Sequence, residues 1–437
     1  MKSNADTNDE MSNGVSKTKL ILLPPRDGID FEALPWNLNC PESHKYIHVK
    51  TTSGAWETKH YDPSKDEGDV CTSVLSYSSS PLGLSPATTS LNYGTTVWEG
   101  LKCFRTSKGR AAVFRPQKNF ERFCNGAEAL CLPKPSYELF MRGIQTAVQE
   151  NSDLIPPFGE GMKLYIRPIL MGSGQQLGLY PSPEMSLIFY VSPTGNYFKG
   201  KAAGGLKLHL ETKHCRAARG GMGSVKCSGN YAATLRPLEK AKAQGFNDNL
   251  YMELDTYTDG KLEDSIVQEL SAANVFVVLK TGEIITPTLD RGTILPGVTR
   301  DSVVALVKGC VDELQAVMVE STGDADVKVS VSERDVQVKD FLNATEAFVT
   351  GTAAEIVPIA SLATGEGEES FDVVLPHGAN LPGGPVTAKL LEMLREIMSE
   401  TRTADWAADW LPDPFATAGV FRQEDVLKRK FDKLESE

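Results

Sequence analysis

The sequence predicts a mixed α+β protein built of two α/β domains with a cleft between them, and three observations carry that expectation. The chain has 437 residues, more than a single hydrophobic core ordinarily holds. Strand-like and helix-like runs are interspersed along it, without a clean βαβ rhythm in the first half and more regularly in the second. Between the halves, residues 195–205 contain four glycines and little hydrophobicity. That run is the expected interdomain loop. It separates a small domain at 29–194 from a larger one at 206–437, with residues 1–28 as a flexible arm.

The elements follow from local pattern. Tyr46 to Val49 and Trp56 to Tyr61 alternate in character around the turn-like Thr52-Ser53-Gly54 and read as short strands. A Ser/Pro/Gly-rich connector spans Ser76 to Pro86, and a strand pair is expected around Leu101 to Phe114. Pro116 to Leu130 begins with proline in its first turn, and Ser136 to Glu150 begins with a serine cap, so both read as helices. Lys163 to Arg167, stopped by Pro168, and Ser186 to Val191 read as strands. Beyond the loop, Leu206 to Leu210 and Asn249 to Leu254 are strand-like, with a helix over Leu235 to Gln244. Val275 to Leu279 and Ile284-Ile285 form a hairpin about Lys280-Thr281-Gly282-Glu283. An amphipathic helix is expected over Thr299 to Leu314, opened by the Pro296-Gly297 break. Strands at Val327 to Val331 and Ala347 to Val349 and a helix over Thr387 to Glu400 complete the set.

Composition narrows the function. A hydrophobic share of 41% with 23% charged residues describes an ordinary soluble globular protein. The net charge of -12 argues against nucleic acid or an anionic membrane as partner. No apolar run approaches the roughly 20 residues that span a bilayer. The opening Met1 to Lys19 is polar, carries Asp6, Asp9 and Glu10 and has no arginine, which favours a cytoplasmic location over secretion or an organellar address. Eight cysteines are scattered, with no Cys-x-x-Cys pair and no metal-ligand spacing to the six histidines, so no metal is expected.

Lys226 is the most informative residue. It lies in Gly220-Gly221-Met222-Gly223-Ser224-Val225-Lys226-Cys227-Ser228-Gly229-Asn230-Tyr231, among small residues and with no other charge close by. A lysine so placed suits Schiff-base chemistry, because burial lowers its pKa and exposes a nucleophilic amine. A glycine-rich loop with a solvated lysine is the competing reading, and the spacing of nucleotide-binding loops is missing. Leu295 to Arg300 runs into a helix, where free amides and Thr299 offer an anion site, or where Thr299 is simply the cap. In Val349 to Glu355, Thr352 offers a hydroxyl and the Ala353 and Ala354 amides suit a carboxylate, unless the segment is only a tight turn. Glu269 heads a small, apolar stretch, where a carboxylate is costly unless it meets a cation such as a protonated pyridine nitrogen. Tyr165 and Arg167, two apart on a strand, share one face and suit a substrate carboxylate. Arg122 is either within reach of a phosphate or solvated.

Six segments in this order resemble the branched-chain amino acid aminotransferases, fold-type IV pyridoxal 5'-phosphate (PLP) enzymes. They are Leu91 to Gly100, Phe114-Arg115-Pro116 with Arg122, Tyr165-Ile166-Arg167-Pro168, Lys226 to Tyr231, Leu295 to Arg300 and Gly351 to Ile356. The resemblance runs from about Ile29 to Glu400. It implies a ping-pong exchange of amino groups between L-leucine, L-isoleucine or L-valine and 2-oxoglutarate, with PLP in the interdomain cleft and a homodimeric chain. Lys226 would be the Schiff-base lysine and proton shuttle. Glu269 would face the pyridine nitrogen, and Tyr231 the phenolic oxygen. Arg122, Val298, Thr299 and Thr352 would hold the phosphate. Tyr93, Trp98, Tyr165, Arg167 and Tyr197 would shape the substrate pocket, and the Ala353 amide, beside Ala354, would receive the α-carboxylate.

The chain departs from the family pattern in places. Trp98 stands where phenylalanine is commoner, Ala272 replaces a threonine or glycine, and about five residues around Glu263 to Val267 are inserted before Glu269. Ala354 and Val357 occupy the positions of the redox cysteine pair of the mammalian enzymes, so that thiol switch is expected to be missing. The rival readings are a D-amino acid aminotransferase, an aminodeoxychorismate lyase or a catalytically silent PLP-binding protein.

Overall fold

Residues 22–39, 44–52, 70–76, 82–159, 161–195, 204–256, 262–365, 370–377 and 383–415 are described by a computed structural model. The first half forms one antiparallel sheet. Its strands are β1 (Lys45–Thr52), β2 (Val70–Ser76), β3 (Thr96–Trp98), β4 (Leu101–Arg105), β5 (Ala111–Val113), β6 (Lys163–Gly172) and β7 (Glu184–Thr194). Their order is β2-β1-β7-β6-β4-β5, with β3 continuing the edge that β4 forms on β6. The short helix α1 (Thr89–Tyr93) leads into β3.

Helices α2 (Pro116–Ala129) and α3 (Tyr137–Gln149) cover one face of this sheet. Ser136 caps α3, its Oγ accepting from the Leu139 amide at 3.1 Å. Leu139, Phe140, Ile144, Ala147 and Val148 then recur at helical spacing and bury against Ile166, Leu187 and Phe189.

The second half builds a mixed sheet from β8 (Leu206–Glu211), β9 (Asp248–Met252), β10 (Val267–Leu270), β11 (Asn274–Leu279), β12 (Glu283–Pro287), β13 (Ser330–Arg334), β14 (Ala344–Gly351), β15 (Glu355–Ala363) and β16 (Asp372–Val374). The order is β10-β9-β8-β15-β14-β11-β12-β13, with β16 on β15. In β11, Val275 and Val277 enter one core while Phe276 and Val278 enter another, so the strand is apolar throughout. Phe276 stacks on Phe348 at 5.0 Å. Around this sheet lie α4 (Ser228–Ala243), α5 (Val298–Gly309), α6 (Val311–Thr322) and α7 (Pro385–Met398). Among the described residues no helix is long and apolar enough to cross a membrane.

Several elements depart from the sequence expectation, each for a local reason. Strand β6 continues through Pro168 rather than stopping before it. Pro168 lies opposite the gap between β3 and β4, where no amide donor is needed, and its carbonyl accepts from Glu99 at 2.8 Å. The expected helix over 299–314 breaks at Cys310, where the indole of Trp406 packs against Gly309, and α6 follows as a separate helix. Strand β13 begins only at Ser330, because the Gln315 side chain bonds the Val327 carbonyl and the Val329 amide. Helix α4 begins seven residues before the expected Leu235, two residues after Lys226, and tolerates Pro237 within it. Trp56 to Tyr61 lies outside the described residues, and β1 pairs with β2 instead. Between Thr194 and Leu206, residues 196–203 also lie outside them.

Candidate active site

The Lys226 loop is tied on every side. The Asn230 side chain donates to the Met222 and Val225 carbonyls at 2.7 and 2.8 Å, and Ser224 N donates to Gly292 O. A Cβ at Gly223 would overlap the Thr293 backbone, so only glycine allows this approach. The Lys226 carbonyl accepts from Trp98 N at 3.1 Å, and Val97 bridges Cys227, which fastens the loop to β3 of the first sheet. Helix α4 then starts at Ser228 and brings Tyr231, in its first turn, back over the lysine.

The Lys226 amine donates to the Tyr231 hydroxyl at 2.8 Å and stands 3.9 Å from the Trp98 ring centroid. Burial and the positive charges of Arg122, Arg167 and Arg216, against the Glu99 carboxylate, pull its pKa down to about 7. Burial also pushes the Tyr231 phenol up, so its hydroxyl keeps its proton.

Glu269 lies on β10 and is fully enclosed. Its Oε1 meets Arg216 Nη1 at 2.7 Å and accepts from Leu295 N at 2.8 Å; its Oε2 accepts from Asn274 Nδ2 at 2.8 Å. Burial pushes its carboxyl pKa up despite Arg216. The insertion expected before it corresponds in part to a 3-10 turn at Leu262–Asp264, beside residues 257–261, which are not described.

Arg122 sits on the buried side of α2. Its Nε and Nη2 each bond Glu99 at 2.7 Å, and Nη1 donates to the Pro296 carbonyl at 2.9 Å. It thus reaches the N-terminus of α5, where Val298 and Thr299 are buried and their amides donate to nothing among the described residues. Gly297 supplies no side-chain cap there. The start of α7 is different: Glu346 accepts from Val386 N and Thr387 N at 2.9 and 2.8 Å.

Arg167 stacks over Trp98 at 4.1 Å and donates to the Tyr165 hydroxyl at 2.9 Å. A Cβ at Gly100 would overlap that hydroxyl. Thr352, Ala353 and Ala354 form the half-buried turn between β14 and β15, and no turn hydrogen bond consumes their amides. Tyr93 is placed apart, on an exposed edge, where its hydroxyl accepts from Gly178 N at 2.7 Å. Tyr197 lies outside the described residues.

Sequence reasoning missed four contributors: Arg216, Glu99, Asn274 and Trp36. Trp36 meets Tyr165 edge-on at 5.1 Å. Only Glu99 carried a signal, as an acid inside an otherwise apolar and small-residue motif. Arg122, Arg167 and Arg216 outnumber Glu99 and Glu269 by one charge, and by two when Lys226 is protonated, so the site favours an anion.

Known proteins resemble this chain in sequence and in fold. The chain is 41% identical over 281 residues to chloroplastic branched-chain-amino-acid aminotransferase 5 of Arabidopsis thaliana, covering 64% of this chain and 61% of the relative. A methionine aminotransferase of the same plant is 42% identical over 281 residues, 64% of this chain and 71% of the relative. The chain thus spans less than two thirds of the length of the first of these. In structure it matches the PLP-form of a branched-chain amino acid aminotransferase from Thermobaculum terrenum, with a TM-score of 0.61 at 20% identity. That match covers 86% of this chain and 99% of the other, and shows the shared fold. The family model for class IV amino-transferases matches residues 97–362, and the chain belongs to that family.

Proposed function

We propose that this protein is a branched-chain amino acid transaminase. It would move the amino group of L-leucine, L-isoleucine or L-valine to 2-oxoglutarate, and the reverse, with PLP joined to Lys226. The observation that carries this reading is the Lys226 amine, brought to a pKa of about 7 and hydrogen-bonded to Tyr231.

The residues present fit the cofactor. The uncapped start of α5, with the Val298 and Thr299 amides, the Thr299 hydroxyl, Arg122 alongside and the Thr352 hydroxyl, suits a phosphate. Glu269, with its raised pKa and its clasp by Arg216, Leu295 N and Asn274, suits the ring nitrogen. The Tyr231 hydroxyl, which already accepts from Lys226, suits the phenolic oxygen. When bound, PLP supplies an electron sink for the carbanion at the substrate Cα.

The remaining work belongs to the chain. Lys226 Nζ, its pKa lowered to about 7, would take the proton from the substrate Cα and deliver it to the carbon that bore the cofactor's aldehyde. The Ala353 and Ala354 amides hold the α-carboxylate. Arg167, with Tyr165, receives the second carboxylate of 2-oxoglutarate or glutamate. Trp98, beside the Lys226 amine and under Arg167, presents its aromatic face to the alkyl chain. Glu99 neutralises Arg122 and fixes its orientation toward the start of α5.

The reading includes a homodimer. The exposed apolar side chains of Leu91, Tyr93, Leu177, Leu179 and Tyr180, joined through the Gly178–Tyr93 bond, support it, and sedimentation measures it. The cytoplasmic location expected from the sequence stands beside relatives named chloroplastic and mitochondrial, and fractionation of cells making the full chain decides among the three.

The test is direct. Borohydride reduction of the PLP-loaded protein should leave a pyridoxyl label on Lys226 by peptide mass spectrometry. Lys226→Ala should lower leucine–2-oxoglutarate turnover by at least about a thousandfold. A label on another residue, or full turnover in the variant, sinks the reading. L-methionine, D-alanine and aminodeoxychorismate assayed alongside separate it from its rivals.

A further inference from the structure

Behind the Thr352-Ala353-Ala354 turn lies a buried group of charges that the mechanism above does not use. Glu355, the first residue of β15, meets Lys163 Nζ at 3.2 Å, Lys102 Nζ at 3.8 Å and Arg395 Nε at 3.0 Å. The side chains of Lys102, Lys163 and Glu355 are 2%, 3% and 7% exposed. Three cations from β4, β6 and α7 thus converge on one carboxylate. Burial disfavours the Glu355 charge, yet Lys163, Lys102 and Arg395 together hold its pKa well below the carboxylate range.

Lys163 does more than neutralise. The same ammonium donates to the Ala353 carbonyl at 3.1 Å and to Glu355 Oε1, so it grips the turn at two points. Glu355 adopts φ +60, a left-handed conformation that a non-glycine residue holds only where its surroundings impose it. Lys163 and its partners supply that constraint. The strand period puts Lys163, Tyr165 and Arg167 on one face of β6, and the register pairs Lys102 of β4 with Tyr165. A row of cationic and phenolic groups therefore runs from the turn to Arg167 over Trp98.

Lys102 has no hydrogen-bond partner among the described residues. Burial, with Lys163 and Arg395 nearby, pulls the Lys102 pKa down to about 7 despite Glu355, and since Lys163 and Arg395 already hydrogen-bond that carboxylate, the charge Lys102 adds is not needed to neutralise it. Its effect falls instead on whatever occupies the open side of the turn. There Lys163, Arg395 and the protonated share of Lys102 outweigh Glu355 and attract an anion in a medium that screens poorly.

We propose that Lys163 is a positioning residue for the 352–354 turn, and that the surplus charge it shares with Lys102 gives the site its preference for carboxylate-bearing ligands. The proposal rests on the carboxylate role given to that turn above, and its test reads binding rather than turnover.

The PLP-loaded protein is titrated calorimetrically with 4-methylpentanoate and with 4-methylpentanamide, which share an alkyl chain and differ in charge. The unaltered protein should bind the acid at least about tenfold tighter than the amide. Lys163→Met should weaken the acid about tenfold and leave the amide unchanged, and Lys163→Arg, which can still bridge both oxygens, should stay within about threefold of the original. Lys102→Met should weaken the acid about threefold with no fall in melting temperature, since it removes an ammonium that has no hydrogen bond. Equal loss of acid and amide in both methionine variants makes the cluster purely structural and overturns the proposal. So does an unaltered protein that does not distinguish the two ligands. If the expected binding pattern holds but leucine–2-oxoglutarate turnover is missing, the transaminase reading falls and the carboxylate preference stands.

Discussion

Below about pH 7 the Lys226 amine of the ligand-free protein keeps its proton, and above it the amine is free, whereas an exposed lysine stays charged to beyond pH 10. Between those two values the unfolded chain binds a proton that the folded chain does not. This group therefore makes folding more favourable as pH rises through that window, and most costly at and below pH 7. Labelling with trinitrobenzenesulfonate, resolved by peptide mass spectrometry, should show Lys226 reacting with a midpoint near pH 7 while surface lysines lag by about three pH units. A midpoint above pH 9 for Lys226 would contradict its environment. The lysine was legible in the sequence because no charge and little bulk surround it. Arg216 was not, although it sits ten residues upstream: it follows His214 and Cys215 and precedes Arg219, and in one dimension it looks like any surface arginine. Its role comes from Gln268, whose side chain donates to Ala217 O at 2.7 Å and sets that backbone against β10, a pairing across 51 residues that no local pattern encodes.

Two helix starts, α5 and α7, show how an element can be built either to be stable or to bind. In α7 the protein's own Glu346 satisfies two amides and completes the helix. In α5 no side chain caps the start and the Val298 and Thr299 amides donate to nothing among the described residues, as the proposed phosphate site requires. The variants Glu346→Ala and Thr299→Val should therefore separate. The first should cost about 1–2 kcal/mol of stability in urea melts with little change in PLP affinity. The second should leave stability within about 0.5 kcal/mol. Removing a hydrogen bond to a charged group, worth about 1.5–3 kcal/mol, should weaken PLP binding by tenfold or more, read by fluorescence titration. The reverse pattern would mean that α5 needs Thr299 as a cap, the plainer of the two roles its sequence allowed. Helix starts were legible here because proline, glycine and serine mark them. Two boundaries were not: the break at Cys310 depends on Trp406, nearly a hundred residues away, and the early start of α4 is set by the tertiary pinning of the Lys226 loop.

At the scale of the molecule, the site exists only while the two sheets stay in register, since Trp98, Arg122 and Arg167 come from one and Lys226, Glu269 and Thr299 from the other. From the sequence alone, the expectation was of a cleft between two domains, with no strand pairing beyond strands adjacent in sequence. Which strands pair, and that β3 and β4 share one edge of β6, depends on long-range packing. Nor did anything in the sequence indicate that residues 399–415 turn back across the first half. They do so through Ser107 N to Ser399 O, Val113 N to Pro412 O and Arg115 N to Trp410 O, and Phe415 packs into the first core. Trp410 is the centre of this strap. It is 4% exposed, meets Phe114 edge-on at 5.7 Å and lies under the Arg115 guanidinium at 4.0 Å. Arg115 in turn bonds Asp301 and Ser302 of α5 at 2.6 and 2.7 Å, next to the expected phosphate site. Trp410→Ala should cost about 3–5 kcal/mol in a denaturant melt, as the loss of a buried indole does. It should also release PLP faster on dialysis, because the strap holds the start of α2, which carries Arg122, against α5. A stability loss without faster release would make the strap an ordinary piece of core. A change in stability below about 0.5 kcal/mol would mean that the two halves are held together by their other contacts alone, chiefly the Trp98–Lys226 backbone bond, the Arg122–Pro296 bond and the Lys163–Glu355 pair.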